Sequence, residues 1–217
     1  MNVVLNALVV SATVLGSGMA LPQARQLARS RSTDGVSPTW VGVSLALNGW
    51  WLAYGLAAHV WALVPVSMIS FLLYLSMAVV FVGSVGKPSI RPLLVGALGL
   101  GMIPLPFLVF GGWASAGLAV GFCYGVQLLP AVVAVLRSPA LGGVSAATWL
   151  IAWIEAMLWL VYGVAIIDVA LVVAGVVGVA MSSVILVKLS VSGHRPLDAI
   201  APRAAVARWR KAQPSLS

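Results

Sequence analysis

Residues 21–55 read LPQARQLARSRSTDGVSPTWVGVSLALNGWWLAYG, and the pattern returns 108 positions later, without a gap, as LPAVVAVLRSPALGGVSAATWLIAWIEAMLWLVYG at residues 129–163. In the first copy, the positions identical in both are Leu21, Pro22, Arg29, Ser30, Gly35, Val36, Ser37, Trp51, Leu52, Tyr54 and Gly55. The same offset continues beyond the stretch and pairs Ala57 with Ala165, Ala62 with Ala170, Leu63 with Leu171 and Val64 with Val172. Identities this regular indicate a duplicated unit whose two copies are joined by a spacer.

The composition excludes a water-soluble domain. Of the 217 residues, 62% are hydrophobic and 7% are charged, and the mean hydropathy is +1.10. A soluble domain carries about 25% charged residues. So few charges cannot cover a surface that faces water, and the lipid bilayer must therefore solvate the chain. Because lipid offers no hydrogen bonds to unpaired backbone groups, the apolar segments are expected to cross it as helices, which predicts an all-α membrane protein.

The cationic side chains fall on one side of the membrane if the chain crosses it seven times. The apolar segments run approximately over residues 3–21, 39–57, 62–83, 92–111, 114–136, 145–165 and 169–189, each long enough for a hydrocarbon layer of roughly 30 Å. All twelve lysines and arginines then lie in alternate connections, at the very end of the last segment (Lys188) or after it. The positive-inside rule makes that side cytoplasmic, with the amino terminus outside. The sequence thus predicts a multi-pass protein of the cell (plasma) membrane with a cytoplasmic carboxyl terminus.

An unpaired fourth segment explains how the two copies share one orientation. Each copy contributes three helices, so a directly fused second copy would be inserted upside down, and one extra crossing restores its direction. The expected result is two parallel three-helix bundles related by an axis along the membrane normal. The predicted parts are residues 1–84 for the first bundle, 85–112 for a linker containing the fourth transmembrane helix, 113–189 for the second bundle and 190–217 for a basic cytoplasmic tail.

These features together resemble the SWEET/PQ-loop transporters in their duplicated 3+1+3 form. The resemblance covers roughly residues 3–189, and its motifs are Pro22-Gln23, a following Gly-Val-Ser and Trp-x-x-Tyr-Gly, in the same order in both copies except that Ala131 follows Pro130. It implies a carrier, typically for mono- or disaccharides, whose two halves rock around a central solute. The first segment is expected to end or kink at Pro22-Gln23, since proline disrupts a helix interior.

The resemblance also assigns roles to individual positions. Substrate contacts would map to Trp51 and Trp159, which pack on the solute, to the polar Asn48, and to the third helix of each unit at Ser67 and Gly175. An indole ring against the apolar face of a solute, with polar neighbours, is a sound binding arrangement. The gate and hinge positions implied by the family are Pro22, Gln23, Tyr54, Pro130 and Tyr162.

One acid stands out without the resemblance. Glu155 is the only acidic residue well inside an apolar segment, and burying it there costs about 2.5 kcal/mol or more, so it is a candidate functional residue. It lies one helical turn from Trp159, and we expect it to bind a polar or cationic solute group or a proton. The structural alternative is a protonated carboxyl that bonds a neighbouring helix. His59 and Asp168, in equivalent outer turns, either pair in a gate or are exposed residues without function.

Three functions remain open. The first is a carrier of a small polar solute, with a sugar as the leading candidate, working by alternating access. The second is an amino-acid or other metabolite carrier, coupled to protons through Glu155; it is favoured because the family's paired asparagines are replaced by Ser67 and Gly175. The third is a membrane receptor or assembly protein of the PQ-loop type that does not transport.

Other classes of function find no support in the sequence. Two histidines, four acids and one cysteine, Cys123, are too dispersed for a triad, a metal set or a phosphate loop, so neither an enzyme nor a cofactor is expected. The net charge of +8 is spread over loops and tail, which argues against nucleic acid as a partner. The expected partners are the solute and the lipid bilayer. A homo-oligomer is compatible with the pattern, but one chain already contains both units and a monomer suffices.

Overall fold

The computed structural model describes the backbone of residues 3–30, 37–137 and 145–192, with side chains from residue 19 to 30 left out of the description. Within these ranges every regular element is helical. The helices are α1 (Val3–Ser30), α2 (Pro38–Ala57), α3 (Leu63–Val85), α4 (Ile90–Gly101), α5 (Pro104–Arg137), α6 (Ala146–Ile166) and α7 (Val169–Val191), with a single 3₁₀ turn at Lys87–Ser89. The all-α fold class is therefore confirmed for the described part of the chain.

The helices have the length and surface of a membrane-embedded protein. In the described part of the chain, four stretches are long and apolar enough to cross a bilayer, namely Leu63–Val85, Lys87–Arg137, Ala146–Ile166 and Val169–Val191. Large apolar side chains point outward in these stretches, including Val79, Leu98 and Phe110, the last with 89% of its surface exposed. A soluble protein rarely exposes so much apolar surface, so lipid is the natural solvent for this face.

The helix contacts repeat between the two copies. In the first copy α3 packs against both α1 and α2, and in the second α7 packs against both α5 and α6. The copies meet through two equivalent contacts, α1 with α6 and α2 with α5. The six helices therefore form one bundle, and helices from both copies enclose its interior.

The serine of each repeated Gly-Val-Ser motif directly precedes the second helix of its copy. The Ser37 hydroxyl oxygen accepts a hydrogen bond from the backbone N–H of Trp40 at 3.3 Å, and Ser145 does the same for Thr148 at 3.3 Å. A serine in this position satisfies an N–H group that the helix leaves unpaired. The motif thus fixes where α2 and α6 start.

The linker differs from the expected single helix over 92–111. The helix α4 ends at Gly101, and α5 starts at Pro104, where a proline suits the first helical position because its missing N–H would be unpaired anyway. At 12 residues, α4 is about 18 Å long and does not span the bilayer unaided. Gly112 then interrupts α5 with φ 69°, a conformation that favours glycine, and Gly86, also at positive φ, precedes the 3₁₀ turn that leads into α4.

Close approach of backbones attaches α4 to α2. A side chain added to Gly42 would collide with the carbonyl oxygen of Leu93, and one added to Gly96 would collide with that of Thr39. Small residues at such crossings allow two membrane helices to come close together. The Trp50 indole N–H strengthens the same contact by donating to the Gly101 carbonyl at 2.8 Å.

The prediction that the first segment ends at Pro22-Gln23 was wrong. The helix α1 passes through both residues and continues to Ser30, and α5 likewise passes through Pro130. A proline removes one hydrogen bond from a helix, and membrane helices tolerate this loss. The predicted tail lies outside the described residues from position 193 onward.

Candidate functional site

A cavity of about 430 Å³ lies between the two copies. Side chains from α2 and α3 face it from the first copy, and side chains from α5, α6 and α7 from the second, while α1 contributes Gly16. This volume is within the range of pockets that hold small molecules. The interior that the repeated helix contacts enclose is therefore large enough for a solute.

The sequence-predicted substrate residues all border this cavity. Asn48 and Trp51 come from α2, Ser67 from α3, Glu155 and Trp159 from α6 and Gly175 from α7. They are brought together although up to 127 positions separate them in the chain, from Asn48 to Gly175. Their grouping is a geometric result, and their role as contacts for a solute stays a prediction.

Gly175 differs from its repeat partner, Ser67. A Cβ atom at Gly175 would lie 2.6 Å from the Cβ of Leu160 and 2.7 Å from its Cα, so a side chain has no room there. Ser67, by contrast, is a buried side chain that borders the cavity. Gly175 therefore allows α7 to pack tightly on α6 and offers only backbone to the cavity.

Among the residues that the structure describes, Glu155 is the only acid that borders the cavity. Its Oε1 accepts a hydrogen bond from the indole N–H of Trp159 at 3.0 Å, one turn along the same helix. Gly16 of α1 provides the space for this carboxyl, because a Cβ there would stand 2.8 Å from Oε1. Trp159, on the same helix, thus positions the carboxyl group, and Gly16 of the other copy leaves room for it.

Two amide side chains meet at Ser44, a fully buried residue of α2. The Asn48 Nδ2 donates to the Ser44 carbonyl at 2.8 Å, and the Gln127 Nε2 donates to the Ser44 hydroxyl oxygen at 2.6 Å. The second bond joins α2 to α5 and therefore crosses between the copies. Both amides border the cavity. In each of them the NH₂ group donates a hydrogen bond to an oxygen atom of Ser44.

The aromatic pairs follow the repeat. Trp51 and Tyr54 form an edge-on pair with centroids 6.0 Å apart, and Trp159 and Tyr162 form the same pair at 6.0 Å. Edge-on geometry suits the charge distribution of aromatic rings. The tyrosine of each Trp-x-x-Tyr-Gly motif is thereby packed beside its tryptophan, and all four rings belong to one buried or partly buried cluster.

A contact between the copies lies beside one end of the cavity, next to the lining residues Trp51 and Leu171. This turn end carries the turns that join α2 to α3 and α6 to α7. There the Tyr54 hydroxyl donates to Asp168 Oδ2 at 2.8 Å, and Asp168 Oδ1 accepts from the backbone N–H of Leu171 at 2.9 Å. Asp168 therefore both begins α7 and holds the two copies together at this end.

The suggested pairing of His59 with Asp168 is not what the structure contains. The His59 Nδ1 lies 3.2 Å from the Ala57 carbonyl oxygen, and its ring packs beside the exposed Trp61. The partner of Asp168 is Tyr54 instead. His59 has positive φ, 60°, in a short turn, and this turn holds its side chain at the surface.

The other predicted gate and hinge residues occupy different surroundings. Tyr162 is buried at the turn end, whereas Pro130 is exposed on α5. Pro22 and Gln23 lie within α1, and their side chains fall outside the described part. The hinge role of the prolines stays a prediction.

Sequence reasoning missed several cavity residues. These are chiefly aromatic or polar and include Trp40, Tyr74, Tyr124, Gln127 and Trp149. Trp40 packs edge-on against Tyr74 with ring centroids 5.4 Å apart. Gln127 could have been found, because an amide inside an apolar helix is as unusual as an acid there.

Comparison of the sequence with protein-family models and with curated proteins finds no match. The geometry of the cavity and of the contact beside its turn end therefore carries the functional argument.

Proposed function

We propose that this chain is a multi-pass membrane carrier that moves a small polar solute by alternating access. The observation that carries the proposal is a cavity between two repeated units, together with a hydrogen bond from Tyr54 to Asp168 that joins the units beside one end of it. In this proposal the bond holds that end closed. Rocking of one unit against the other would break this bond and open the turn end. Transport of this kind needs no covalent chemistry.

The proposed architecture has seven crossings in a 3+1+3 arrangement of the SWEET/PQ-loop type. Its support is the 108-residue repeat, the distribution of lysine and arginine, and the equivalent α1–α6 and α2–α5 contacts. In this arrangement the turn end faces outside and the carboxyl terminus lies in the cytoplasm of a cell whose plasma membrane holds the protein. The two units of one chain form the whole pathway.

The cavity wall suits a solute with both apolar and polar faces. Trp51 and Trp159 offer flat rings to an apolar face, and Asn48 and Glu155 offer oxygen atoms to hydroxyl or N–H groups. A neutral sugar is the solute that the family resemblance suggests. The Glu155 carboxyl instead favours an amino-acid or other metabolite carrier, with proton coupling as one use of the acid.

Replacing Trp159 with alanine is expected to lower transport at least about tenfold, since a desolvated aromatic contact and a hydrogen bond to Glu155 are lost together. The measurement is solute counterflow in proteoliposomes over a panel of sugars, amino acids and organic cations, with and without a pH gradient. Trp61, with 63% of its surface exposed, provides the matched control as Trp61→Ala.

Unchanged counterflow in Trp159→Ala would remove this residue from the pathway. If the wild-type protein moves no solute of the panel although it binds one, the carrier function is wrong and a receptor that uses the same fold becomes the better explanation.

A further inference from the structure

We infer that the solute of this cavity is a small organic ammonium ion, held by the Glu155 carboxylate and by the aromatic rings around it. This inference rests on the proposed function, because it names the cargo of the same cavity. It changes the expected solute from a neutral sugar to a cation, whose positive charge balances the negative charge of the partly buried Glu155.

The charge of the cavity is the first argument. The described residues that border it include one acid, Glu155, and no lysine, arginine or histidine. The Trp159 N–H occupies Oε1, whereas Oε2 has no hydrogen-bond partner among the residues that the structure describes. A buried carboxylate is stable when a cation or several hydrogen-bond donors compensate its charge. An ammonium group on the solute would supply that compensation.

The aromatic wall is the second argument. Four tryptophans and two tyrosines border the cavity, at positions Trp40, Trp51, Trp149, Trp159, Tyr74 and Tyr124. The faces of such rings attract an organic cation, most strongly where water is excluded. A sugar would also pack on indole rings, but it would leave the carboxylate without a counter-charge. The combination of rings and one carboxylate therefore favours a cation.

The remaining polar groups are the third argument. The Asn48 amide donates through Nδ2 to the Ser44 backbone carbonyl, which can only accept a hydrogen bond. The other amide atom is therefore Oδ1, which remains available as an acceptor. Glu155 Oε2 is a second acceptor. A solute that donates hydrogen bonds, through N–H or a hydroxyl beside its charged nitrogen, matches both oxygens. An anionic solute would be repelled by the same two groups.

Choline and ethanolammonium are the ligands for the test, each compared with an uncharged compound of similar shape. Replacing the quaternary nitrogen of choline with carbon gives 3,3-dimethylbutan-1-ol, and replacing the ammonium of ethanolammonium with hydroxyl gives ethylene glycol. Equilibrium binding of radiolabelled choline to the purified full-length protein in detergent is measured with each compound as competitor. We expect ethanolammonium to compete and both uncharged compounds to fail.

Glu155→Gln is expected to weaken choline binding at least about tenfold, since it removes the charge and keeps the shape. The glutamine can still accept the Trp159 N–H, so the fold should survive, which gel filtration and near-UV circular dichroism check. Glu155→Asp keeps the charge and should recover part of the affinity. Trp61→Leu, at an exposed site away from the cavity, should bind as the wild type does.

Several outcomes overturn the inference: no binding of either cation, equal competition by the uncharged compounds, or unchanged affinity in Glu155→Gln. Counterflow separates this result from the fate of the carrier proposal. Sugar counterflow without choline binding leaves the carrier standing and removes the ammonium ion. Choline binding that depends on Glu155, without counterflow of any solute, keeps the ligand and removes the carrier.

Discussion

Replacing Tyr54 with phenylalanine is expected to raise the reactivity of a cysteine placed at position 63 about tenfold or more. Leu63 borders the cavity near its turn end and is 4% exposed. The variant removes the hydroxyl that bonds Asp168 and changes little else. A hydrogen bond to a charged group contributes about 1.5–3 kcal/mol, which corresponds to a population shift of about tenfold or more toward the open end.

The measurement is the rate at which a charged thiol reagent modifies Leu63→Cys in detergent. The native cysteine, Cys123, is buried on α5 and is first replaced by alanine to remove background. His59→Ala serves as the control, because His59 lies in the same turn region without contacting Asp168. If Tyr54→Phe reacts at the wild-type rate while His59→Ala reacts faster, the bond does not hold the turn end closed.

Asp168 accepts two hydrogen bonds, from Tyr54 and from the Leu171 N–H, and substitutions can separate their effects. Asparagine keeps an oxygen for the Leu171 N–H and weakens only the contact with Tyr54, whereas alanine removes both. Loss of such a cap costs about 1 kcal/mol of helix stability. Asp168→Asn should therefore match Tyr54→Phe in thiol reactivity, and Asp168→Ala should in addition lower the unfolding temperature.

Replacing Gly175 with asparagine is expected to destabilise the protein by about 1–3 kcal/mol or more and not to improve sugar binding. An asparagine would restore the amide that sugar carriers of the resembling family place at this position. Its Cβ, however, would overlap the backbone of Leu160, which cannot retreat without separating α7 from α6. The thermal unfolding midpoint in detergent measures the effect, with sugar binding followed in parallel.

Gly83→Ala is the matched control for Gly175→Ala. Both glycines lie within helices, but a Cβ at Gly83 meets nothing within 4 Å. The control should unfold at the wild-type temperature or slightly above it, since alanine favours a helix over glycine, while Gly175→Ala unfolds earlier. Equal midpoints for the two variants would show that the α6–α7 contact is not as tight as this geometry requires.

The repeat made much of the site predictable. Because the two copies share Trp-x-x-Tyr-Gly, aligning them placed Trp51 and Trp159 in equivalent positions, and the structure brings both to the cavity. Glu155 could be singled out from the sequence, because placing an acid inside an apolar membrane helix costs free energy and so demands an explanation.

The sequence does not show which side of an apolar helix faces the cavity. A helix that touches lipid on one side and protein on the other is apolar all round, so no hydrophobic stripe marks the inner face. Tyr74 and Tyr124 lie in such helices outside the repeated motif, and nothing in the pattern turned them toward the cavity. The Tyr54–Asp168 bond was equally hidden, because it joins residues 114 positions apart.

The fused duplication has a consequence for the number of charges in the centre. Two identical chains related by a twofold axis present every side chain twice, so a shared site between them holds charges only in even numbers. Here the position equivalent to Glu155 is Leu47, a buried apolar residue. Joining the copies in one chain allowed them to diverge until the site carried one acid, a count that no symmetric pair of single units can reach.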